Sequence, residues 1–335
     1  MKNKTIVDIA KELQISPSTV SRALNDHPYI NKETKLLVKK VARQMGYMPN
    51  PIARGLRQNR TTSIGVIVPE IKHDFFSSAI SGIEEVAYRS GYTIIVCQSN
   101  ESYEREVLNT KAMILHRVAG LIACISQTTI NGKHFNEVLE RNIPLVFFDR
   151  VCPDVPASKI IIDDRKSAFN AVDHLIKRGY SKIAHFAGPK ALDICSNRFS
   201  GYKEALEKSN ISVDENLICF GGLHEEDGYK SMDKLLRNKT DIDAVFAVND
   251  PVAIGAFQRI KEAGLRIPED LGIVGFSNNT ITTIVDPPLT TVNQPSMNMG
   301  KRAAEIIIGL INDKTSSLKP FTEVLEADLI IRGSS

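Results

Sequence analysis

The stretch TIVDIAKELQISPSTVSRALN, residues 5–25, has the pattern of two short helices joined by a tight turn. Thr5 is a predicted N-cap, with Asp8 three positions on as in a capping box, and apolar residues then recur at helical spacing. Ser16 is predicted to cap the second helix, and Pro17 takes its first position, where a missing N–H costs nothing. Two helices with so short a connection are typical of a helix-turn-helix unit.

The second of these helices carries a polar face. Val20 and Leu24 are expected to point inward, which leaves five side chains to face outward: Ser18, Thr19, Ser21, Arg22 and Asn25. A third helix is predicted from Asn31 to Gly46. In helix-turn-helix geometry the start of the second helix enters the major groove, where small hydroxyls approach phosphates and Arg22 pairs with a phosphate or a guanine. We therefore expect this face to contact DNA; the alternative is an exposed polar helix without a partner.

Charge is distributed unevenly along the chain. Residues 1–60 contain twelve Lys and Arg against four Asp and Glu, a net charge of +8, whereas the other 275 residues carry −5 and the whole chain +3. A small basic segment on a mildly acidic body indicates a module that binds a polyanion. A solvated charged surface is the alternative explanation.

Composition limits the class of protein. The 335 residues are 42% hydrophobic and 24% charged, which is ordinary for a globular protein of two or three domains. No apolar run approaches the roughly 18 residues of a membrane helix, and the N-terminal apolar stretch is too short and too charged for a signal peptide. We therefore expect a cytoplasmic protein. The five cysteines are widely separated without a CxxC pair, so buried reduced thiols are favoured over a metal site or disulfides.

A short segment of different character follows the three helices. It is YMPNPIARGLRQNRT, residues 47–61, in which Pro49 and Pro51 prevent the third helix from continuing. PIARGLRQ has the pattern of a short helix, although Gly55 weakens it by about 1 kcal/mol relative to alanine. Alone in water so short a helix is largely unformed, and we expect it to become ordered when it binds a partner.

From Ser63 onward, apolar runs alternate with helical stretches. The runs are IGVIVP, YTIIVCQS, GLIACI, LVFFDR, KIIIDD, KIAHFAG, LICFGG, DAVFAV and GIVGFS, with early helices near residues 76–90 and 103–116. Continuous apolar strands between helices indicate parallel sheets covered on both faces. Two such units predict two doubly wound lobes with a ligand site at the carboxyl ends of their strands. No phosphate loop or GxGxxG follows a strand, so nucleotide binding has little support.

Seven segments together resemble the lactose/galactose repressor (LacI/GalR) family of bacterial transcription regulators. They are TIVDIAKELQISPSTVSRALN, GYMPNPIARGLR, TTSIGVIVPEI, RVAGLIACIS, KIAHFAGP, AVFAVNDPVAIGA and DPPLTTVNQP. The resemblance runs from about residue 4 to about residue 332, and its N-terminal motifs are the most specific part. The two-lobed architecture alone is less specific, because secreted sugar-binding proteins share it.

The resemblance implies an α/β fold: a small helical helix-turn-helix head, a hinge helix, and a two-lobed, doubly wound parallel-sheet domain like the periplasmic binding proteins. The implied boundaries are 1–48 for the DNA-binding head, 49–61 for the hinge helix and linker, and 62–335 for the effector-binding and dimerisation domain. Within that domain the N-lobe is expected to comprise about 62–160 plus 293–320, and the C-lobe about 161–292 plus 321–332.

The resemblance also assigns DNA contacts. Ala53 and Leu56 match hinge positions that enter the minor groove, where a leucine wedges a base step; the alternative is that Leu56 packs on the head or a lobe. Gln14 stands where the family often has glycine, which puts the turn geometry in question. The full set expected to contact DNA is Thr5, Ser16, Pro17, Ser18, Thr19, Ser21, Arg22, Asn25, Tyr29, Asn50, Ala53 and Leu56.

Six residues match effector positions of the family. They are Phe76, Asp149, Arg198, Asn249, Ser277 and Gln294. Carboxylate and amide groups take sugar hydroxyls, Arg198 can hold a carboxylate through two hydrogen bonds, and Phe76 offers a ring face. Ser277 stands where many members have aspartate, which favours an effector with an acidic group; for each residue the alternative is an ordinary polar group between the lobes. Replacing Arg198 or Asp149 by alanine is expected to abolish ligand binding and leave folding nearly unchanged.

These observations predict a homodimeric transcription regulator that binds operator DNA and a sugar or sugar acid, with no cofactor and no metal. A transport-system binding protein would need a signal peptide and no basic head. An enzyme would need a nucleophile and base or a metal cluster at strand ends, and the histidines His73, His174, His185 and His224 show no metal spacing.

The expected oligomer is a dimer and not a tetramer, because the chain stops at EADLIIRGSS with no heptad helix beyond its last strand. The helix near residues 76–90, with Ile80, Ile83 and Val86, is a candidate dimer contact. Packing against its own sheet is the alternative for that helix.

Overall fold

The computed structural model describes residues 4–47, 61–313 and 319–335. The chain divides into two compact units between residues 61 and 62. The predicted hinge helix, with Asn50, Ala53 and Leu56, lies outside the described residues. Among the residues that are described, no helix combines the length and the apolar character that a membrane crossing requires.

The first unit is a bundle of three helices: α1 Ile6–Glu12, α2 Pro17–Leu24 and α3 Lys32–Gln44. Its core contains Ile9, Val20, Ala23 and Val38 at 0% exposure. The predicted caps are confirmed for all three helices: Thr5 forms a capping box with Asp8, Ser16 Oγ accepts from the Thr19 amide at 3.1 Å, and Asn31 Oδ1 accepts from the Thr34 amide at 2.8 Å.

The turn between α1 and α2 forms with Gln14 in the left-handed region, at φ 51°. The prediction that Ser21 faces outward was wrong, because Ser21 is 5% exposed. At 100° per residue, Ser21 lies between the directions of Leu24 and the helix's outer face. Helix α2 packs on both α1 and α3, so the buried part of its surface is wide enough to include Ser21.

The N-lobe is built on a six-stranded parallel sheet with strand order β11-β5-β4-β3-β1-β2. Its strands are β1 Ser63–Val68, β2 Thr93–Gln98, β3 Gly120–Ala123, β4 Leu145–Phe148, β5 Ser158–Ile162 and β11 Thr322–Leu325. Its helices are α4 Asp74–Arg89, α5 Tyr103–Leu115, α6 Lys133–Glu140 and α11 Ser296–Asn312.

The C-lobe has a second six-stranded sheet, ordered β12-β10-β9-β8-β6-β7, parallel except where β12 pairs with β10. Its strands are β6 Ile183–Phe186, β7 Ile218–Cys219, β8 Ala244–Ala247, β9 Gly272–Phe276, β10 Thr290–Asn293 and β12 Asp328–Ile330. Its helices are α7 Asp164–Lys177, α8 Asp193–Lys208, α9 Glu225–Arg237 and α10 Asp250–Glu262, with short 3-10 turns at Glu215–Leu217 and Thr280–Thr283.

One strand belongs to a different lobe from the one expected. Residues 321–332 were assigned to the C-lobe, but Thr322–Leu325 pair in parallel with β5 of the first sheet, and the chain enters the second sheet only at Asp328. The sequence pattern predicted one final strand where the structure has two short strands separated by two residues. Each short strand pairs with the sheet whose edge is open beside it, and the local sequence does not show which edge that is.

Helix α4, the candidate dimer contact, is packed inside its own lobe against α11. A Cβ on Gly82 would lie 2.2 Å from the Met297 carbonyl oxygen, and one on Gly300 would lie 2.0 Å from that of Ala79. The two helix backbones therefore touch. Ile83 is 0% exposed, and Ile80 and Val86 pack on the same core. One face of this helix therefore packs within its own lobe, and its role as a dimer contact stays a prediction.

Three of the five cysteines, Cys124, Cys152 and Cys195, are buried as predicted, whereas Cys97 and Cys219 are half-buried.

Candidate functional site

The carboxyl ends of strands from both lobes meet around a narrow cleft with a cavity volume of about 50 Å³. The structure brings all six residues of the predicted effector set to its walls: Phe76, Asp149, Arg198, Asn249, Ser277 and Gln294. Ligand sites of parallel α/β sheets lie at these strand ends because the connecting loops converge there.

A chain of hydrogen bonds links the two lobes across the cleft. Ser277 Oγ donates to Gln294 Oε1 at 2.8 Å, and Gln294 Nε2 donates to Asp149 Oδ1 at 3.1 Å. Asp149 and Ser277 both have positive φ, at 59° and 126°. Residues other than glycine adopt such φ angles at a cost of about 1–3 kcal/mol each. Residues with this backbone strain are frequent in binding sites. Both residues therefore stand in backbone conformations that the surrounding fold imposes.

Arg198 is a buried structural residue as well as a cleft residue. It is 2% exposed, its Nε and Nη2 lie 2.8 and 2.7 Å from Asp164 Oδ1, and its Nη1 donates to the Val248 carbonyl at 2.7 Å. Its guanidinium lies 3.7 Å from the Phe276 ring centroid. Burial raises the pKa of Asp164 to about 6, although the charge of Arg198 opposes this rise. Three of the five guanidinium N–H groups thus bind the protein itself.

A second buried arginine in the cleft was missed by the sequence analysis. Arg150 is 7% exposed, and its Nη1 lies 2.8 and 3.0 Å from the two carboxylate oxygens of Glu101. Burial alone would lower the pKa of Arg150, but Glu101, Cys124 and Asp149 together raise it. Arg150 follows Asp149 directly at the end of β4, so its position at a strand end was a usable signal.

The two arginines do not leave the cleft positively charged. Glu101 pairs with Arg150 and Asp164 pairs with Arg198, so each cation already has a carboxylate partner. Asp149 is a further buried carboxylate in the cleft wall, so these buried groups carry no excess of positive charge.

Asn249 is engaged by the protein on both sides of its amide. Its Oδ1 accepts from the Val252 amide at 2.9 Å as the N-cap of α10, and its Nδ2 donates to the Leu223 carbonyl at 2.9 Å. One N–H remains for other partners. This residue therefore also orders the loop that forms the C-lobe wall of the cleft.

Two buried polar atoms in the cleft walls lack a hydrogen-bond partner within the described part of the chain. Asn279 Oδ1 is an acceptor, and Arg150 Nε is a donor whose nearest carboxylate oxygen, on Asp149, is 3.9 Å away. Buried polar atoms are nearly always hydrogen-bonded, so such exceptions require an explanation. A ligand that both donates and accepts, as hydroxyl groups do, would satisfy both.

In the head, most of the predicted DNA-contact residues that the structure describes are exposed. Thr5, Ser16, Pro17, Ser18, Arg22, Asn25 and Tyr29 are exposed, Thr19 is half-buried, and Ser21 is buried. Ser16 Oγ lies 2.7 Å from Ser18 Oγ and 2.8 Å from Thr19 Oγ1, which groups three hydroxyls at the start of α2. The start of α2 thus presents hydroxyls beside the guanidinium of Arg22, the pattern that binds phosphates and base edges.

A helix-turn-helix head joined to a two-lobed domain with a polar interlobe cleft defines the class of ligand-responsive DNA-binding regulators. Comparison with known families agrees. The family described as bacterial regulatory proteins, lacI family, matches residues 5–50, and a periplasmic binding protein-like domain matches residues 172–335.

Related proteins match over nearly their whole length. The HTH-type transcriptional repressor PurR of Vibrio atlanticus (strain LGP32) is 35% identical over 319 residues, which cover 95% of each chain. The HTH-type transcriptional repressor CytR of Escherichia coli (strain K12) is 33% identical over 332 residues, which cover 99% of this chain and 96% of CytR. The chain belongs to the lacI family of bacterial regulatory proteins and is a DNA-binding transcription regulator with an effector-binding domain.

Solved structures agree with this assignment. The Lac repressor bound to ONPG in its repressed state superposes with a TM-score of 0.86 at 25% identity, covering 100% of both chains. The CelR–cellobiose complex gives a TM-score of 0.75 at 26% identity, covering 99% of this chain and 100% of CelR.

Proposed function

We propose that this chain is a homodimeric, cytoplasmic repressor, and not an enzyme, whose affinity for operator DNA is controlled by a neutral, hydroxyl-rich effector such as a sugar or sugar derivative. The observation that carries the effector proposal is the pair of buried atoms in the cleft, Asn279 Oδ1 and Arg150 Nε, which lack partners in the described chain. A hydroxyl both donates and accepts, so one sugar can serve both atoms.

Three further observations support a neutral sugar. Both cleft arginines are paired with carboxylates, Phe76 adds an apolar ring to the wall, and the Asn249 amide keeps one N–H for a ligand hydroxyl. CelR has been solved with cellobiose and a LacI-family regulator from Enterococcus faecium with ribose. We propose Arg150 and Asn279 as effector contacts alongside the six residues predicted from the sequence.

The DNA-binding part of the proposal rests on the head. We propose residues 1–48 as the DNA-binding head, 49–61 as hinge and linker, and 62–335 as the effector and dimerisation domain. A single head offers few side chains that reach bases, and two-fold binding to paired half-sites compensates for this. Sedimentation equilibrium without DNA should give a dimer, and a monomer at micromolar concentration would contradict the proposal.

A thermal-shift screen of neutral sugars, sugar acids, nucleosides and purines tests the effector proposal. We expect neutral sugars to raise the melting temperature, because a ligand that binds only the folded state stabilises it. Each compound that binds is then tested for its effect on operator binding. A shift obtained only with sugar acids or purines would contradict the proposed effector class.

The variant Asn279→Ala makes the test specific to the cleft. Its Oδ1 has no partner among the described residues, so its removal should leave the melting temperature of the ligand-free protein nearly unchanged and weaken effector binding about tenfold. Asn238→Ala, at an exposed residue, is the matched control. Equal effector affinity in both variants would place the binding site elsewhere.

A further inference from the structure

Three potential metal ligands meet at the rim of the effector cleft. Glu70 and His73 lie in the loop between β1 and α4 of the N-lobe, and His224 is the N-cap residue of α9 in the C-lobe. One ligand atom from each lies within 4.8 Å of the others. His73 and Leu223, the neighbour of His224, also line the cleft, so the cluster is adjacent to the effector site.

The contacts inside this Glu70–His73–His224 cluster are close and incompletely satisfied. His73 Nε2 lies 2.7 Å from Glu70 Oε2, and the two imidazole rings stack with centroids 5.8 Å apart and planes 16° apart. His224 Nδ1 is buried and has no hydrogen-bond partner within the described residues. A Glu–His hydrogen bond would account for one pair, but it leaves the second histidine and its unpartnered nitrogen unexplained.

A histidine binds a metal ion through a neutral imidazole nitrogen, and both His73 and His224 offer one such nitrogen to the cluster. The Lys72 ammonium lies 3.6 Å from Glu70 Oε2, on a side chain that is 71% exposed.

We propose that Glu70, His73 and His224 bind one divalent transition-metal ion, with Zn²⁺ as the type, as a bridge between the two lobes. Two imidazoles and one carboxylate are a zinc ligand set that leaves a fourth position open for water or a ligand oxygen. Mg²⁺ and Ca²⁺ prefer sites made only of oxygen ligands and should bind poorly. Ligand atoms around tetrahedral zinc are roughly 3.3 Å apart, so the Glu70–His73 contact must widen slightly.

The position of the site gives the ion a regulatory role. Because the ligands come from both lobes, the bound ion holds the lobes at one separation beside the effector cleft. Metal binding and effector binding must then affect each other reciprocally. This proposal does not rest on the identity of the effector, and it is tested without one.

The test uses the full-length protein stripped of metal by a chelator. Isothermal titration with ZnCl₂ should give one ion per chain, and MgCl₂ at the same concentration should give no heat of binding. The variants Glu70→Gln, His73→Asn and His224→Asn should each weaken Zn²⁺ binding by at least about tenfold, since losing a direct ligand costs no less than losing its supporting residue. His116→Asn, at an exposed histidine far from the cluster in the chain, is the matched control.

Three outcomes would overturn the proposal. The first is a lack of Zn²⁺ binding by the unmodified protein, and the second is unchanged Zn²⁺ binding in all three cluster variants. The third concerns protein loaded with Co²⁺ in place of Zn²⁺: thiolate charge-transfer bands in its absorption spectrum would assign the ion to cysteines. Glu70 and His73 share one loop of the N-lobe and His224 lies in the C-lobe, so a folding failure in one lobe leaves a variant in the other to decide the matter. Repeating the effector screen on metal-free protein separates a failure of this site from a failure of the effector proposal.

Discussion

Gln14 is a residue whose backbone conformation conflicts with its type. It connects α1 to α2 at φ 51°, in the left-handed region that glycine adopts without strain. For other L-residues the contact between Cβ and the carbonyl oxygen costs about 1–2 kcal/mol. The head tolerates this cost because the caps and the core on both sides of the turn hold the two helices in place.

Replacing Gln14 with glycine should therefore stabilise the head. The relief of backbone strain is worth about 1–2 kcal/mol. It is slightly larger than the cost of about 0.5–1 kcal/mol that arises because glycine loses more conformational entropy on folding. We expect slower amide hydrogen exchange across residues 6–24 of the full-length protein. Gly46→Ala, at φ 65°, is the reverse control and should speed exchange in α3. Faster exchange in the Gln14→Gly protein would show that the left-handed turn is not strained.

His185 is a buried core residue of the C-lobe with a displaced pKa. Its Nδ1 donates to the Phe246 carbonyl at 2.9 Å, and its ring stacks with those of Tyr202 and Phe246, each at 4.9 Å. Burial lowers the pKa of His185 to about 4, and the Phe246 carbonyl only partly opposes this. The folded protein therefore keeps this histidine neutral where the unfolded chain is already protonated.

Acidification should destabilise the protein through His185. The folded pKa lies below the unfolded value near 6.5, so stability is complete above pH 6.5 and is lost as the pH falls toward 4. Between pH 7 and pH 5 the loss is about 2 kcal/mol. His185→Phe preserves the stacking and should lose less stability over this range, as measured by urea unfolding at both pH values.

Two buried carboxyls act in the opposite direction. Burial raises the pKa of Asp164 and that of Asp250 to about 6, so each contributes stability at low pH that is lost as the pH rises from about 4 to 6. Their contribution is common to the unmodified and His185→Phe proteins and cancels in the difference. Equal pH dependence in the two proteins would contradict the assignment to His185.

At the scale of elements, the Arg198–Asp164 pair joins α8 to the first residue of α7, and the bond to the Val248 carbonyl adds the end of β8. The expectation that replacing Arg198 would leave folding nearly unchanged does not suit this geometry. That expectation treated Arg198 as a solvated cleft residue, but it is 2% exposed and neutralises a buried carboxylate. Folding therefore depends on a side chain that we also propose as an effector contact.

Replacing Arg198 with methionine should destabilise the protein by about 3–5 kcal/mol, because it leaves Asp164 buried without its partner. Adding Asp164→Asn should recover a large part of that loss. The matched control is Arg165→Met, whose pair with Glu204 is exposed and should cost about 1 kcal/mol or less. Urea unfolding measures all four proteins, and equal losses in Arg198→Met and Arg165→Met would contradict the role of the buried pair.

At the scale of the whole molecule, opposite charges are separated along the chain. Residues 1–60 carry +8 and the remainder −5. DNA attracts the first part and repels the second, so the charge distribution itself favours binding through the head.

Operator binding should weaken steeply with salt. The logarithm of the binding constant should fall with that of the salt concentration with a slope of about −0.9 for each phosphate neutralised. Arg22→Ala should cost about 1–3 kcal/mol of binding free energy if Arg22 meets a base. Arg141→Ala, an equal change of charge at an exposed position of the effector domain, is the control. Salt-independent binding, or an unaffected Arg22→Ala protein, would contradict this assignment.

Most helices and strands of this protein, and the six predicted residues that line the cleft, were predictable from the sequence. The caps at Thr5, Ser16 and Asn31 were recognisable because capping depends on residues three apart. The strands were recognisable because buried parallel strands are continuous apolar runs. The six cleft residues were identified by the family resemblance. Four of them, Asp149, Asn249, Ser277 and Gln294, follow strands, and strand ends converge in a doubly wound fold.

Other features were decided only by the tertiary structure. The assignment of Thr322–Leu325 to the first sheet depends on which sheet edge β5 leaves open, and the burial of Ser21 depends on two helices packing on α2 at once. Arg150 follows β4 and forms an ion pair with Glu101, which follows β2. His224 of the C-lobe lies close to Glu70 of the N-lobe. Contacts between residues far apart in the chain depend on the order and separation of packed elements, and a local pattern of residue types contains neither.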